Sequence, residues 1–181
     1  MEAPASLLML YYFFRSNNVF NPIFISFLII WQIHYFHRAF IYPFTLQSPK
    51  PMPVSIVLFA IIFNVCNTYI QGMGIFILGQ NYSTSWLYDI RFIVGILIFI
   101  SGYIINKKSD AILFSLKKKH DGYSIPNGGL YAYISCPNYF GEIVTWIGWA
   151  ILTWSLSGLI FVIWTAANLL PRALSHHKWY I

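Results

Sequence analysis

Apolar residues fill six whole segments of this chain, 4–14, 20–40, 54–78, 90–105, 139–154 and 156–170, and short polar breaks divide them. Arg15-Ser-Asn-Asn turns the chain after the first segment, and Gln80-Asn-Tyr-Ser-Thr-Ser reads as a loop after the third. Thr45-Leu-Gln-Ser-Pro-Lys-Pro-Met-Pro stops helix repeatedly, because each proline removes a backbone donor and restricts the residue before it. Only 106–137 is an extended polar region. A membrane-crossing helix needs about 20 residues, so the shorter segments must borrow from their aromatic flanks or tilt little. The pattern predicts an all-α integral membrane protein with about six transmembrane helices, forming one membrane domain over residues 1–181.

Composition sharpens this reading. The 181 residues are 58% hydrophobic, 20% aromatic and only 9% charged, whereas soluble domains carry about 25% charge. Much of the surface must therefore face lipid. The two cysteines, Cys66 and Cys136, lie in different segments, make no disulfide framework or metal spacing, and read as small buried hydrophobes. The +6 net charge is uneven, with Lys107, Lys108, Lys117, Lys118 and Lys119 in one stretch. Such a cluster beside apolar spans marks a cytosolic flank, and no soluble domain exists to present it to nucleic acid. Counting spans puts 106–137, 38–53 and 172–181 on the cytosolic side, and the Asn81-Tyr-Ser sequon on the other. Glu2, Tyr35, Asn106, Asp110, Asn138 and His176 then fall near one face. No cleavable leader is evident at the start.

With only five acidic residues, each is informative. Glu2 opens an apolar segment, and Asp110 and Glu142 border others. A carboxylate beside lipid persists when it is paired, protonated or used. Glu142 also fits a helix N-terminal acid favoured by the macrodipole; Asp89 reads as a cap and Asp121 as a turn residue. His34 with His37, and His176 with His177, are too few imidazoles for a di-iron site, so no metal is expected. No glycine-rich dinucleotide loop is present, and Gly128-Gly129 reads as a turn. Any nucleotide would be held by scattered polar side chains and the lysine cluster.

Five blocks in order carry a resemblance. They are His34-Tyr-Phe-His-Arg-Ala-Phe-Ile-Tyr-Pro; Asp89-Ile-Arg-Phe with Asn106-Lys-Lys-Ser-Asp; Tyr123-Ser-Ile-Pro-Asn-Gly-Gly-Leu-Tyr; Ser135-Cys-Pro-Asn-Tyr-Phe-Gly-Glu-Ile; and Arg172-Ala-Leu-Ser-His-His-Lys-Trp-Tyr. Over nearly its full length the chain resembles the steroid 5α-reductase family. The resemblance implies the C-terminal majority of a seven-span bundle, lacking a further N-terminal span and a C-terminal tail, as in a fragment, a short isoform or an incomplete gene model. It implies Tyr35 and Glu2 as the catalytic pair on the enone carbonyl. It also implies NADPH contacts at Asn106, Asp110, Asn138, Glu142, Arg172, His176 and Tyr180, with Tyr42 and Lys50 as further candidates. Lys117 stands where relatives often have Arg, which gives a point charge in place of a fork.

The activity so implied is NADPH-dependent reduction of the C4–C5 double bond of 3-oxo-Δ4 steroids. Hydride goes to the β-carbon, and Tyr35 with protonated Glu2 stabilises the enolate by hydrogen bonds in a dry pocket. The cofactor supplies the hydride and the protein the orientation. The partners expected are a small lipophilic enone and membrane lipid, with no nucleic acid and no obligate protein partner; the location is the endoplasmic reticulum membrane. The rivals are a sibling enoyl-CoA or polyprenal reductase, an isoprenylcysteine methyltransferase, and a non-catalytic sterol-binding fragment.

Overall fold

The computed structural model describes residues 2–45, 52–119 and 124–180, and among these the secondary structure is helical throughout. The chain divides into two compact units, Met1–Asp89 and Ile90–Ile181.

In the first unit α1 spans Ala3–Arg15 and α2 spans Pro22–Phe36. Asn21 starts α2: its side chain accepts from the Ile23 amide, and Pro22 occupies a first-turn position where no amide hydrogen is needed. The same Asn21 donates through Nδ2 to the Tyr82 carbonyl at 3.0 Å, so one cap also fixes a distant loop. The backbone continues from α2 through a π-helical turn, His37–Ile41, into α3, Tyr42–Thr45. Helix α4, Val54–Gly72, runs into a second π turn, Met73–Ile77, and a 3₁₀ turn at Thr84–Tyr88 follows. Trp31 donates to the Ala5 carbonyl (3.1 Å) and Gln32 to the Ser6 carbonyl (2.9 Å), locking α1 against α2. Edge-to-face rings of Phe24, Phe76 and Tyr82 fill the far end.

Helix α4 is inside out. Its buried residues are Asn64, Asn67, Thr68, Gln71 and Gly72, while Val54, Ile56, Leu58, Phe59, Ile62 and Val65 are exposed. A helix in water buries its apolar stripe. The reverse is stable only where the surrounding solvent is itself apolar and the interior is the place for polar groups.

The second unit is built on α5 (Ile90–Lys119), α6 (Pro137–Thr153) and α7 (Leu156–Tyr180). Helices α5 and α6 are antiparallel and pack backbone to backbone along a glycine seam. A Cβ added at Gly95 would meet the Leu152 amide at 2.5 Å, and one at Gly141 would meet the Asn106 amide at 2.5 Å. At Gly102 it would strike the Thr145 amide, and at Gly148 the Phe99 amide. Small residues allow such close approach, which is how helices gain contact where no hydrophobic force drives them together. Trp154, in the left-handed region at φ 44°, ends α6. Ser155 then starts α7 by accepting from the Gly158 amide at 3.1 Å, so the two helices are joined by a tight turn.

All six apolar segments are helical, and among the described residues four helices are long and apolar enough to cross a membrane: Pro22–Phe44, Val54–Ile77, Ile90–Leu116 and Leu156–Tyr180. The protein is thus an all-α integral membrane protein. α1, with 13 residues, and α6, with 17, are shorter. Two boundaries differ from the expectation. The polar stretch after Ile105 continues α5 to Lys119, and α7 passes through Pro171 to Tyr180, so the histidine-rich end is helical. The cysteines differ too: Cys66 is exposed and Cys136 half-buried. Toward lipid an outward thiol loses little, because it behaves as a small hydrophobe.

Candidate functional site

Tyr35 lies on the last turn of α2, is 4% exposed, and stacks on Trp31 at 4.5 Å between ring centroids. Asn67 of α4 donates through Nδ2 to the Tyr35 hydroxyl oxygen at 3.4 Å. The π turn His37–Ile41 begins two residues later, and such turns occur often at functional sites. Glu2 stands at the N-cap position of α1, yet its side chain does not cap the helix. One N–H of Arg38, Nε, is shared between both its oxygens at 3.3 and 3.2 Å. The Arg38 guanidinium also lies over the Tyr42 ring, 5.3 Å from its centroid. The structure therefore pairs Glu2 with Arg38 and Tyr35 with Asn67. Neither Arg38 nor Asn67 is among the sequence-predicted residues.

A second cluster forms in the other unit. Asn106 and Asp110 are one turn apart on α5, and Asn138 and Glu142 one turn apart on α6, so the antiparallel seam sets the two pairs side by side. Asn106 Nδ2 donates to the Asn138 carbonyl at 2.9 Å and to Glu142 Oε2 at 3.4 Å. Asn138 Nδ2 donates to Asp110 Oδ1 at 3.5 Å. Glu142 lies beyond the first turn of α6 and is engaged by Asn106, so a helix-terminal role does not account for it. Asn106 is 3% exposed, and its Oδ1 has no hydrogen-bond partner among the described residues. A buried acceptor left unmatched in this way is costly, and a ligand donor would satisfy it. Tyr131, outside the spans, donates to the Ser109 carbonyl at 3.5 Å. Burial first, and then the Asp110 carboxylate, push its hydroxyl well above the ordinary tyrosine range, so it stays protonated.

On α7, Arg172, His176 and Tyr180 recur every fourth residue along one face. The His176 ring lies 6.1 Å from Tyr139 and 6.3 Å from Tyr180. The Ser135 hydroxyl and His177 Nδ1 share a hydrogen bond of 2.7 Å that ties the end of α7 to the start of α6. Arg172 is exposed, and among the described residues no hydrogen bond or ion pair joins it to the asparagine–carboxylate cluster. Lys117 occupies the last turns of α5, and Lys50 lies outside the described residues. Of the predicted set, then, Asn106, Asp110, Asn138 and Glu142 are brought together, and His176 with Tyr180 forms a second group on α7.

A helical membrane protein carrying buried carboxamide, carboxylate and phenol groups has its counterpart among known proteins. The family model for 3-oxo-5-alpha-steroid 4-dehydrogenase matches residues 50–181. A steroid 5-alpha-reductase of Solanum lycopersicum is 42% identical over 186 residues, covering 100% of this chain and 71% of the relative. One from Arabidopsis thaliana is 42% identical, with 72% of the relative covered. The 3-oxo-5-alpha-steroid 4-dehydrogenase 1 of Homo sapiens is 42% identical over 85% of this chain and 60% of its own length. The chain belongs to the 3-oxo-5-alpha-steroid 4-dehydrogenase family, and with it to the membrane oxidoreductases of steroid metabolism.

Proposed function

We propose that this chain reduces the C4–C5 double bond of 3-oxo-Δ4 steroids, with NADPH as the reductant. The observation that carries the reading is the buried Tyr35 hydroxyl in a chain of this family, a polar donor held by Asn67 and stacked on Trp31. Bound NADPH would supply the hydride to the β-carbon, and a proton from water would reach the α-carbon to complete the reduction. Tyr35 would donate to the carbonyl oxygen as negative charge builds there. A preorganised donor in a water-poor site stabilises that charge more than water does. Glu2, held in place by Arg38, would assist from the N-terminus of α1. The second unit offers groups suited to a dinucleotide: the unmatched Asn106 oxygen, the Asn138 amide, and the Asp110 and Glu142 carboxylates. Arg172, Lys117 and Lys50 would meet phosphates, and His176, Tyr180 and Tyr42 the remaining surface. The proposal thus gives Tyr35 and Glu2 to the steroid carbonyl and the remaining groups to the nucleotide.

The test is steroid-dependent NADPH oxidation by the purified chain in lipid, run beside Asn138→Ala. The substitution removes the donor to Asp110 and should weaken NADPH binding by about 1–3 kcal/mol, the cost of leaving buried partners unmatched. Unchanged NADPH affinity would remove Asn138 from the site. Turnover of an enoyl-CoA or polyprenal in place of the steroid would reassign the substrate.

We further propose the endoplasmic reticulum membrane, with 106–137 and the end of α7 cytosolic. The lysines at 107, 108 and 117–119 support this orientation. Asn81 is exposed in a loop on the opposite side by span count. In microsomes the wild-type chain should acquire a glycan that Asn81→Gln loses, and external trypsin should cut at Lys117–Lys119. Protection of those lysines with no glycan at Asn81 would invert the orientation.

A further inference from the structure

Beyond the contact of Asn67 with Tyr35, the proposed chemistry gives no role to the buried polar stripe on α4. Asn64, Asn67, Thr68 and Gln71 sit at helical positions i, i+3, i+4 and i+7, and all are buried. Asn64 turns its amide back onto its own helix, donating to the Ala60 carbonyl at 2.8 Å. Asn67, 1% exposed, instead reaches across to α2 and donates to the Tyr35 hydroxyl oxygen at 3.4 Å. From this geometry we infer that Asn67 is a positioning residue for reduction, acting through the Tyr35 phenol. The inference rests on the proposed role of Tyr35.

The physical case is short. A phenol oxygen both accepts and donates. An amide N–H on its lone pair fixes the rotation of the O–H, because the proton cannot also point at Asn67. It also draws electron density from the oxygen, which strengthens the O–H as a donor along the chain N–H to O–H to carbonyl oxygen. The Trp31 ring, stacked at an interplanar angle of 27°, holds the phenol plane, while the Asn67 N–H on the oxygen sets the direction of its O–H. Charge developing on the substrate oxygen is then shared by two donors in series, although only one of them touches the substrate.

The experiment measures kcat and KM for NADPH with a 3-oxo-Δ4 steroid, using the full chain in lipid nanodiscs. Asn67→Leu removes the donor in an apolar shape, and Asn67→Asp replaces it with an acceptor that turns the phenolic proton toward itself. Asn67→Leu should lower kcat about tenfold, the worth of one hydrogen bond, with KM for NADPH unchanged. Asn67→Asp should lower it further. In a Tyr35→Phe background neither change should lower kcat again. Equal fold losses in both backgrounds would mean that Asn67 serves packing alone and would overturn the inference. Wild-type kcat in Asn67→Leu would overturn it as well. Should Asn67→Leu lose helical content, the smaller Asn67→Ala decides by the same comparison. Full activity in Tyr35→Phe itself would instead remove the underlying reading of Tyr35, a failure distinct from that of Asn67.

Discussion

Tyr35→Phe should lower steroid reduction by about 10²–10³-fold in turnover, the typical loss of one donor to a developing oxyanion. The substitution deletes one hydroxyl and keeps the ring, so the stack on Trp31 and the α1–α2 hydrogen bonds from Trp31 and Gln32 should survive. The loss should appear at saturating NADPH and steroid, with the helical circular-dichroism signal intact. Glu2→Gln keeps the shape and a hydrogen-bonding group and should be milder than Glu2→Ala, which strips Arg38 of both oxygens it now shares. If Glu2 and Tyr35 serve one carbonyl, the double change Tyr35→Phe with Glu2→Ala will cost less than the two single losses multiplied. Full enone reduction by Tyr35→Phe would end the assignment and point to a different polarising group.

The second large effect belongs to the glycine seam. Gly148→Ala should destabilise the second unit by about 1–3 kcal/mol, because overpacked backbone contacts are relieved only when the helices part. The new methyl would strike the Phe99 amide and sit 2.7 Å from the Gly95 carbonyl oxygen, and backbone atoms of a helix cannot turn aside as a flexible side chain can. Gly141→Ala should add a functional loss, since its methyl would press on the Asn106 backbone, 2.5 Å away, and lift Asn106 off the Asn138 carbonyl. Thermal unfolding followed by tryptophan fluorescence, with Trp146 and Trp149 buried on α6, would read the first effect. NADPH titration would read the second. Ser101→Ala, on the exposed face of α5, is the control and should stay within about 0.5 kcal/mol. A Gly148→Ala chain as stable as the wild type would mean that the helices are not held together along this seam.

The six helices were legible because long apolar runs leave a chain little choice in lipid. The continuation of α5 to Lys119 was not, because hydropathy falls silent at Asn106. The signal lay in propensity instead, since the lysines, Ala111, Leu113 and Leu116 are good helix formers. The pairing of Asn106 and Asp110 with Asn138 and Glu142 was legible only as membership of one set. Their side-by-side placement depends on Gly102 and Gly141, whose contact is a matter of three-dimensional register. Arg38 stood in view within His34-Tyr-Phe-His-Arg, but its bond to Glu2 spans 36 residues, and no local pattern announces it. Asn67 was readable in principle: four polar residues at helical spacing inside an apolar span are a conspicuous expense in a membrane. Its partner was not, because which helix faces that stripe is decided by packing.

The spacing of the glycines has a consequence for motion. Gly95 and Gly102 are seven residues apart, as are Gly141 and Gly148, so the two strips engage like the teeth of a zip. A slip of one helical turn, about 5.4 Å, would drive side chains into the notches that the glycines leave. The α5–α6 pair therefore cannot shear in small steps, and it works as a ruler. Asn106 stands one turn beyond Gly102 and Glu142 one residue beyond Gly141, so the depth at which the amide and carboxylate sit is set by residue count. Within this unit, the α5–α6 pair is the part whose internal register is fixed.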